Sequence, residues 1–160
     1  MLLDGELDAV ISARPPTVFL SGDGRLQRLM PNYREQELDY FERTGIYPIM
    51  HTLAIRRDVY EENRWIAGNL MTAFEEAKKN MVERLSDFNV SRIPMPWMQD
   101  RYAQAKEQFF PDTDYWPYGI EGSRKTLEAF LQFCDEQGVT RRKLTPEELF
   151  VPETQTSFKI

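Results

Sequence analysis

Two side chains of this sequence, His51 and Arg14, have the chemistry needed to act on a small anion. His51 is the one histidine in the chain and lies inside the apolar run of residues 45–59. Imidazole is the side chain whose unperturbed pKa lies nearest neutrality, so it can donate or accept a proton at physiological pH. A guanidinium such as that of Arg14 can hold a carboxylate through two parallel hydrogen bonds. The alternatives are a hydrogen-bonded structural histidine and a surface or hinge arginine.

Arg56, Trp116 and Tyr118 are weaker candidates for ligand contacts. Arg56 and Arg57 end the apolar run, and adjacent strand residues point to opposite faces, so at most one of them would face a ligand. Trp116 and Tyr118 belong to an aromatic, proline-bearing loop over residues 110–119. They would either form an aromatic wall beside a ligand or pack beneath the loop, as aromatic side chains more commonly do.

Two predicted strands would position these groups. The apolar runs at residues 7–13 and 49–56 are typical of short buried strands, and Arg14 directly follows the first of them. Ligands gather at strand ends in open α/β sheets. A buried strand needs neighbours on both edges to satisfy its backbone groups, so these two can form only part of a sheet. The expected class is therefore α/β, within a larger protein.

Three main helices are predicted over residues 64–85, 99–110 and 121–137. In the first, Asn63 would be the N-cap, and apolar residues recur at three- and four-residue spacing, which indicates one buried stripe: Trp65, Ile66, Leu70, Ala73, Phe74, Ala77, Met81 and Leu85. The polar residues between them, Glu75 and Lys78 included, would face solvent. Deleting the indole of Trp65 should then cost roughly 3–5 kcal/mol of stability.

Local signals predict the ends of several shorter elements. Residues 33–44 read as a helix that ends at Gly45, and Gly138 is a typical residue after a helix end. Thr145, Pro146 and two glutamates would open a final helical turn, because proline and carboxylates favour the first turn of a helix. Cys134 should be a buried apolar residue on the third helix, beside Leu127, Phe130 and Leu131.

The composition restricts the partners of the chain. Of 160 residues, 26 are acidic and 20 basic, and the net charge of −6 argues against a nucleic-acid or anionic-membrane surface, although a small anion needs only a few cations. No run approaches the length of a membrane span, and residues 1–10 lack the layout of a signal peptide, so a cytoplasmic protein is expected. One cysteine and one histidine provide no recognisable metal site, and no cofactor motif is present. A divalent metal that takes further ligands from elsewhere stays an open alternative.

Several motifs resemble one known family in their order along the chain. In chain order they are Asp4-Gly5-Glu6-Leu7-Asp8-Ala9, Ser12-Ala13-Arg14-Pro15-Pro16, Thr44-Gly45-Ile46-Tyr47-Pro48-Ile49-Met50-His51, Trp116-Pro117-Tyr118-Gly119-Ile120-Glu121 and Glu147-Glu148-Leu149-Phe150. The most specific blocks within them are Pro48-Ile49-Met50-His51 and Trp116-Pro117-Tyr118-Gly119. This pattern resembles the 4,5-dihydroxyphthalate decarboxylase family, whose fold is similar to that of type II periplasmic solute-binding proteins. The resemblance places the chain at the family's C-terminal part, as one incomplete domain. Residues 1–13 would end the second lobe, residues 14–48 would cross between lobes, and residues 49–160 would complete the first lobe.

The resemblance also implies an activity. A carboxy-lyase of this kind converts 4,5-dihydroxyphthalate to protocatechuate by releasing one carboxylate as carbon dioxide, with no oxidation. His51 would be the proton donor and Arg14 the carboxylate clamp, with Arg56, Trp116 and Tyr118 as further substrate contacts. The alternatives are a solute-binding protein for a small anionic ligand and an inactive fragment of either protein. The expected partner is a small aromatic carboxylate, and open sheet edges would favour association with further copies of the chain.

Overall fold

The computed structural model describes residues 1–90 and 92–155 and divides the chain into two compact units, Met1–Arg43 and Thr44–Ile160. The helices are α1 (Thr17–Leu20), α2 (Tyr33–Thr44), α3 (Arg57–Glu62), α4 (Trp65–Ser86), α5 (Met98–Phe109), α6 (Arg124–Glu136) and α7 (Pro146–Leu149), with 3₁₀ turns at Glu121–Ser123 and Pro152–Thr154. Within the described residues, no helix is both long and apolar enough to cross a membrane.

Neither predicted strand is formed in the described part of the chain, which is helical. Residues 7–13 and 49–56 have no regular secondary structure, and apart from Ile55 all of them are exposed. A strand is stable only when a neighbouring strand takes up its backbone hydrogen bonds, and no described segment pairs with either run. The α/β prediction is therefore wrong for these residues, and the periplasmic-binding-protein-like architecture stays a prediction.

Residues 1–43 form a small unit without a buried side chain. The predicted helix over residues 33–44 is confirmed as α2, and Gly45 follows it with a φ of +64°. The guanidinium of Arg28 lies over two rings, 5.4 Å from the centroid of Phe19 and 4.6 Å from that of Tyr33. Phe19 lies in the short helix α1, and Tyr33 is the first residue of α2.

The largest group of buried residues in the second unit lies on α6. Leu127, Leu131 and Cys134 are buried there as predicted, but Phe130 is 58% exposed. The helix ends in the expected way, since Gly138 has a φ of +69° and the N–H of Val139 donates to the carbonyl of Cys134 at 2.8 Å. Ala67, Phe110, Ile120 and Pro146 complete the buried apolar set of the described residues.

The predicted turn α7 is stabilised by hydrogen bonds to the carboxylate of Glu148. The Thr145 N–H donates to the Glu148 carboxylate at 2.8 Å, and Pro146 occupies the first helical position. Arg142 donates to the same carboxylate at 2.7 Å, and this hydrogen bond is the main cause that lowers the pKa of Glu148 to about 2. Glu148 therefore stays ionised at neutral pH and keeps both partners.

The buried side of α4 differs from the predicted stripe. Ala67 is buried and the side chain of Lys78 is only 8% exposed, whereas Phe74 is 46% and Met81 40% exposed. Asn63 is not the N-cap either, because it ends α3 and its amide donates to the Val59 carbonyl at 3.3 Å. The helix thus presents much of its apolar stripe to solvent.

Trp65 is 63% exposed, so its predicted core position is wrong. We expect Trp65→Ala to change the free energy of unfolding by no more than about 0.5 kcal/mol, because surface substitutions remove little buried area. Urea unfolding of both proteins would measure the difference. A loss near 3 kcal/mol would show that the indole is buried in solution.

Candidate functional site

The segment that carries His51 is attached to the start of α6. The backbone N–H of Tyr47 donates to Thr126 Oγ1 at 3.1 Å. Gly45, two residues earlier, has a left-handed backbone, and a Cβ there would lie 2.7 Å from Lys125 Nζ. Another residue at position 45 would be strained by this backbone conformation, whereas the flexible tip of Lys125 could move aside.

Tyr47 lies within an aromatic cluster, which we define as Tyr47, Tyr102, Phe109, Phe110, Tyr115 and Trp116. The ring centroid of Tyr47 is 5.5 Å from Phe109, 5.4 Å from Phe110 and 5.3 Å from Trp116. The distance from Tyr102 to Tyr115 is 5.0 Å. These edge-to-face and tilted contacts bring the segment before His51 against the loop that contains Trp116.

The loop between α5 and α6 has a constrained backbone. Lys106 Nζ donates to the carbonyls of Phe110 and Thr113 at 2.9 and 2.8 Å, which fixes the start of the loop. Trp116 has a φ of +57°, a left-handed conformation that is uncommon for a bulky side chain. Such backbone outliers concentrate at functional sites. Trp116 is also 41% exposed, so its ring contacts Tyr47 and still presents area to a ligand.

His51 lies four residues beyond Tyr47 and is exposed, so its predicted buried strand position is wrong. Its neighbours Met50 and Leu53 are 72% and 62% exposed. The imidazole makes no hydrogen bond with any of the described residues. Both ring nitrogens are thus accessible to a ligand.

Arg56 is not at a strand end but directly precedes α3. Its Nε donates to Asp58 Oδ1 at 2.5 Å, and this hydrogen bond is the main cause that lowers the pKa of Asp58. The pair is exposed and therefore contributes little to stability. Arg57 opens α3 and lies 4.0 Å from Glu61, so the expected alternation of Arg56 and Arg57 across a strand does not apply.

Arg14 lies in the unit Met1–Arg43, where a neighbouring side chain fixes its backbone. Ser12 Oγ accepts the N–H of Arg14 at 3.2 Å and donates to its carbonyl at 2.8 Å. The side chain of Arg14 is exposed and has no ion pair with the residues described. Its guanidinium is therefore available for a carboxylate, and its meeting with His51 across a ligand cleft stays a prediction.

Sequence reasoning missed a cluster formed by Lys78, Glu75 and Tyr118. Lys78 Nζ lies 2.6 Å from Glu75 Oε2 and 4.3 Å from the ring centroid of Tyr118. The side chains of Lys78 and Glu75 are 8% and 20% exposed, so they do not form the solvated face that was predicted. Burial, and then the charge of Glu75, raise the pKa of Tyr118. The phenol of Tyr118 therefore stays neutral, and its ring lies against the ammonium group of Lys78. Tyr118 belongs to the same loop as Trp116.

A positional signal for this cluster was present in the sequence. Lys78 lies eleven residues after Ala67, which is about three helical turns, so both residues share one side of α4. The apolar pattern pointed to a different side, and a lysine with a glutamate three residues before it is typical of exposed helix surfaces.

Lys78→Met is expected to lower the free energy of unfolding by about 1–3 kcal/mol, because it leaves the carboxylate of Glu75 without its partner in a mostly enclosed position. Lys79→Met is the matched control, since Lys79 is exposed on the same helix. Its effect should stay within about 0.5 kcal/mol. Urea unfolding of the three proteins tests this prediction, and equal losses in both variants would contradict it.

The structure offers no cluster of metal ligands in the ranges that it describes. Within residues 1–90 and 92–155, no three histidine, cysteine, aspartate or glutamate side chains lie close enough together to hold a metal ion.

Comparison with known proteins gives one informative similarity. No family model matches the chain. The chain is 34% identical over 160 residues to a protein of Comamonas testosteroni named 4,5-dihydroxyphthalate decarboxylase. The alignment covers 100% of this chain and 48% of that protein. The chain therefore spans about half the length of the curated relative that it matches.

Proposed function

We propose that this chain carries part of a decarboxylase site for a dihydroxylated aromatic dicarboxylate of the 4,5-dihydroxyphthalate type. The observation that carries the proposal is the contact between Tyr47 and Trp116, whose centroids lie 5.3 Å apart. It brings Tyr47, which directly precedes the Pro48–His51 block, against the Trp116–Gly119 block, and these blocks are the two most specific segments of the family resemblance. Similarity along all 160 residues to a protein named as such a decarboxylase supports the same activity.

In the proposed reaction, Arg14 binds the carboxylate that the substrate retains, through two hydrogen bonds from its guanidinium. The bond between the ring and the other carboxylate breaks, and carbon dioxide leaves. The electron pair of that bond stays on the ring carbon, which takes a proton from the imidazolium of His51. The product is the dihydroxylated monocarboxylate, and a proton from water restores the imidazolium.

The aromatic residues have a supporting role in this proposal. The exposed part of Trp116 offers a flat apolar surface for the substrate ring, and Tyr118 offers a phenol that can donate a hydrogen bond. Arg56 is a weaker substrate contact because Asp58 already pairs with it.

The test is an assay with 4,5-dihydroxyphthalate that follows carbon dioxide release and the ultraviolet spectrum of the product. Phthalate without the hydroxyl groups is the matched control substrate, because it lacks their electron donation to the ring. Turnover of the dihydroxylated compound alone supports the proposal. Tight binding without turnover would instead indicate a solute-binding protein, and absence of both would indicate a chain that is inactive by itself.

A further inference from the structure

One side of α4 carries an apolar surface that the described residues do not cover. We define the α4 face as Ala73, Phe74, Ala77 and Met81, all of which are exposed. Ala77 and Met81 lie four and eight residues after Ala73, and Phe74 lies three residues before Ala77, so the four residues form one stripe along the helix. A stripe of this kind normally packs against another element. Phe74 at 46% and Met81 at 40% exposure therefore indicate a missing neighbour.

The end of the α4 face carries two arginines, which lie beside Glu83 and Asp87. A groove of about 480 Å³ is lined by Met81, Arg84, Arg92 and Ile93. Arg92 lies 3.9 Å from Asp87, while Arg84 has no ion pair with the residues that are described. A partner surface that fits the α4 face would be apolar opposite Phe74 and acidic opposite Arg84, because an unpaired guanidinium binds a carboxylate well.

The segment at residues 49–55 needs a neighbour of a different kind. It has an apolar, strand-like sequence, yet its backbone pairs with no described strand, and Met50 and Leu53 are exposed. Its N–H and C=O groups would be satisfied by the edge of a sheet. A second copy of this chain, which has no strand among its described residues, could add only a two-stranded ribbon, and such ribbons are marginally stable in water.

The relative of Comamonas testosteroni contains more than the aligned region. This chain aligns with 48% of that protein, so slightly more than half of the relative lies outside the alignment. That remainder is long enough to supply both a sheet and an apolar covering surface.

We propose that the α4 face docks a polypeptide equivalent to the unaligned part of the relative, which also offers a sheet edge to residues 49–55. Phe74 and Met81 pack against an apolar surface of this partner, and Arg84 forms an ion pair with one of its acidic side chains. The docking does not depend on catalysis, because none of these three residues belongs to the proposed decarboxylase site.

The probe is the Comamonas testosteroni protein with its aligned region removed, tagged and co-expressed with this full chain. Size-exclusion chromatography with light scattering gives the stoichiometry, and titration of the separated components gives the affinity. Phe74→Glu tests the face, and Ala77→Glu tests it again without removal of an aromatic side chain. Thr72→Glu is the matched control, since it adds the same charge at an exposed position on the other side of α4.

A 1:1 complex supports the proposal if Phe74→Glu and Ala77→Glu each weaken it at least tenfold while Thr72→Glu does not. Amide hydrogen exchange at residues 49–55 should also slow in the complex. Three results would overturn the proposal: no complex, a complex that Phe74→Glu leaves intact, or a homodimer of this chain that the same substitution disrupts. Each is measured without substrate, so it is separate from any failure of the decarboxylase assay.

Discussion

His51→Ala is expected to lower the rate of carbon dioxide release from 4,5-dihydroxyphthalate by about 10²–10⁴-fold, the usual contribution of a positioned general acid. Loss of the carboxylate leaves an electron pair on a ring carbon, and that carbon needs a proton at the same moment. His51 is the one imidazole of the chain and its ring is exposed, so no other histidine can replace it. Initial rates of product formation at saturating substrate measure the effect.

Two comparisons separate loss of the proton donor from loss of structure. Thr52→Ala alters the adjacent exposed residue and should leave the rate within about twofold, since surface changes away from special features have small effects. Added imidazole should restore part of the rate of His51→Ala, because it can occupy the space of the lost ring and donate the proton. Equal rates in the parent and in His51→Ala would remove the assigned role of this histidine.

The parts of the fold that follow from local chemistry were predictable from the sequence. Gly45 and Gly138 end α2 and α6 because each takes the left-handed backbone that glycine tolerates best. Thr145 and Glu148 begin α7 through hydrogen bonds between residues three apart. All partners in these interactions lie within a few positions of each other, so a single sequence contains the whole signal.

The parts that depend on distant partners were not predictable. Whether residues 49–56 become a strand depends on a sheet edge that the described residues do not contain. The prediction for the buried side of α4 was also wrong, because the elements that pack on a helix determine which side is buried. The enclosed ion pair of Lys78 and Glu75 lies on that side. An apolar stripe indicates where a helix can be buried, but the neighbour determines where it is buried.

The contacts of the candidate site also depend on residues that are distant in the sequence. The sequence singled out Trp116 and Tyr118 as an aromatic wall or as packing residues. The structure gives each a specific neighbour, Tyr47 for Trp116 and Lys78 for Tyr118. These contacts join residues 69 and 40 positions apart, and no periodicity within one element encodes them.

Leu131→Ala should lower the free energy of unfolding by about 2–5 kcal/mol, because it removes buried atoms and leaves a cavity among the buried residues of α6. Leu131 is 2% exposed, whereas the adjacent Phe130 is 58% exposed. Phe130→Ala is therefore the matched control and should cost less than about 1 kcal/mol, although it deletes the larger side chain. Urea unfolding followed by circular dichroism measures both variants. A larger loss for Phe130→Ala would mean that α6 buries its other side in solution, and the assigned core of the second unit would then be wrong.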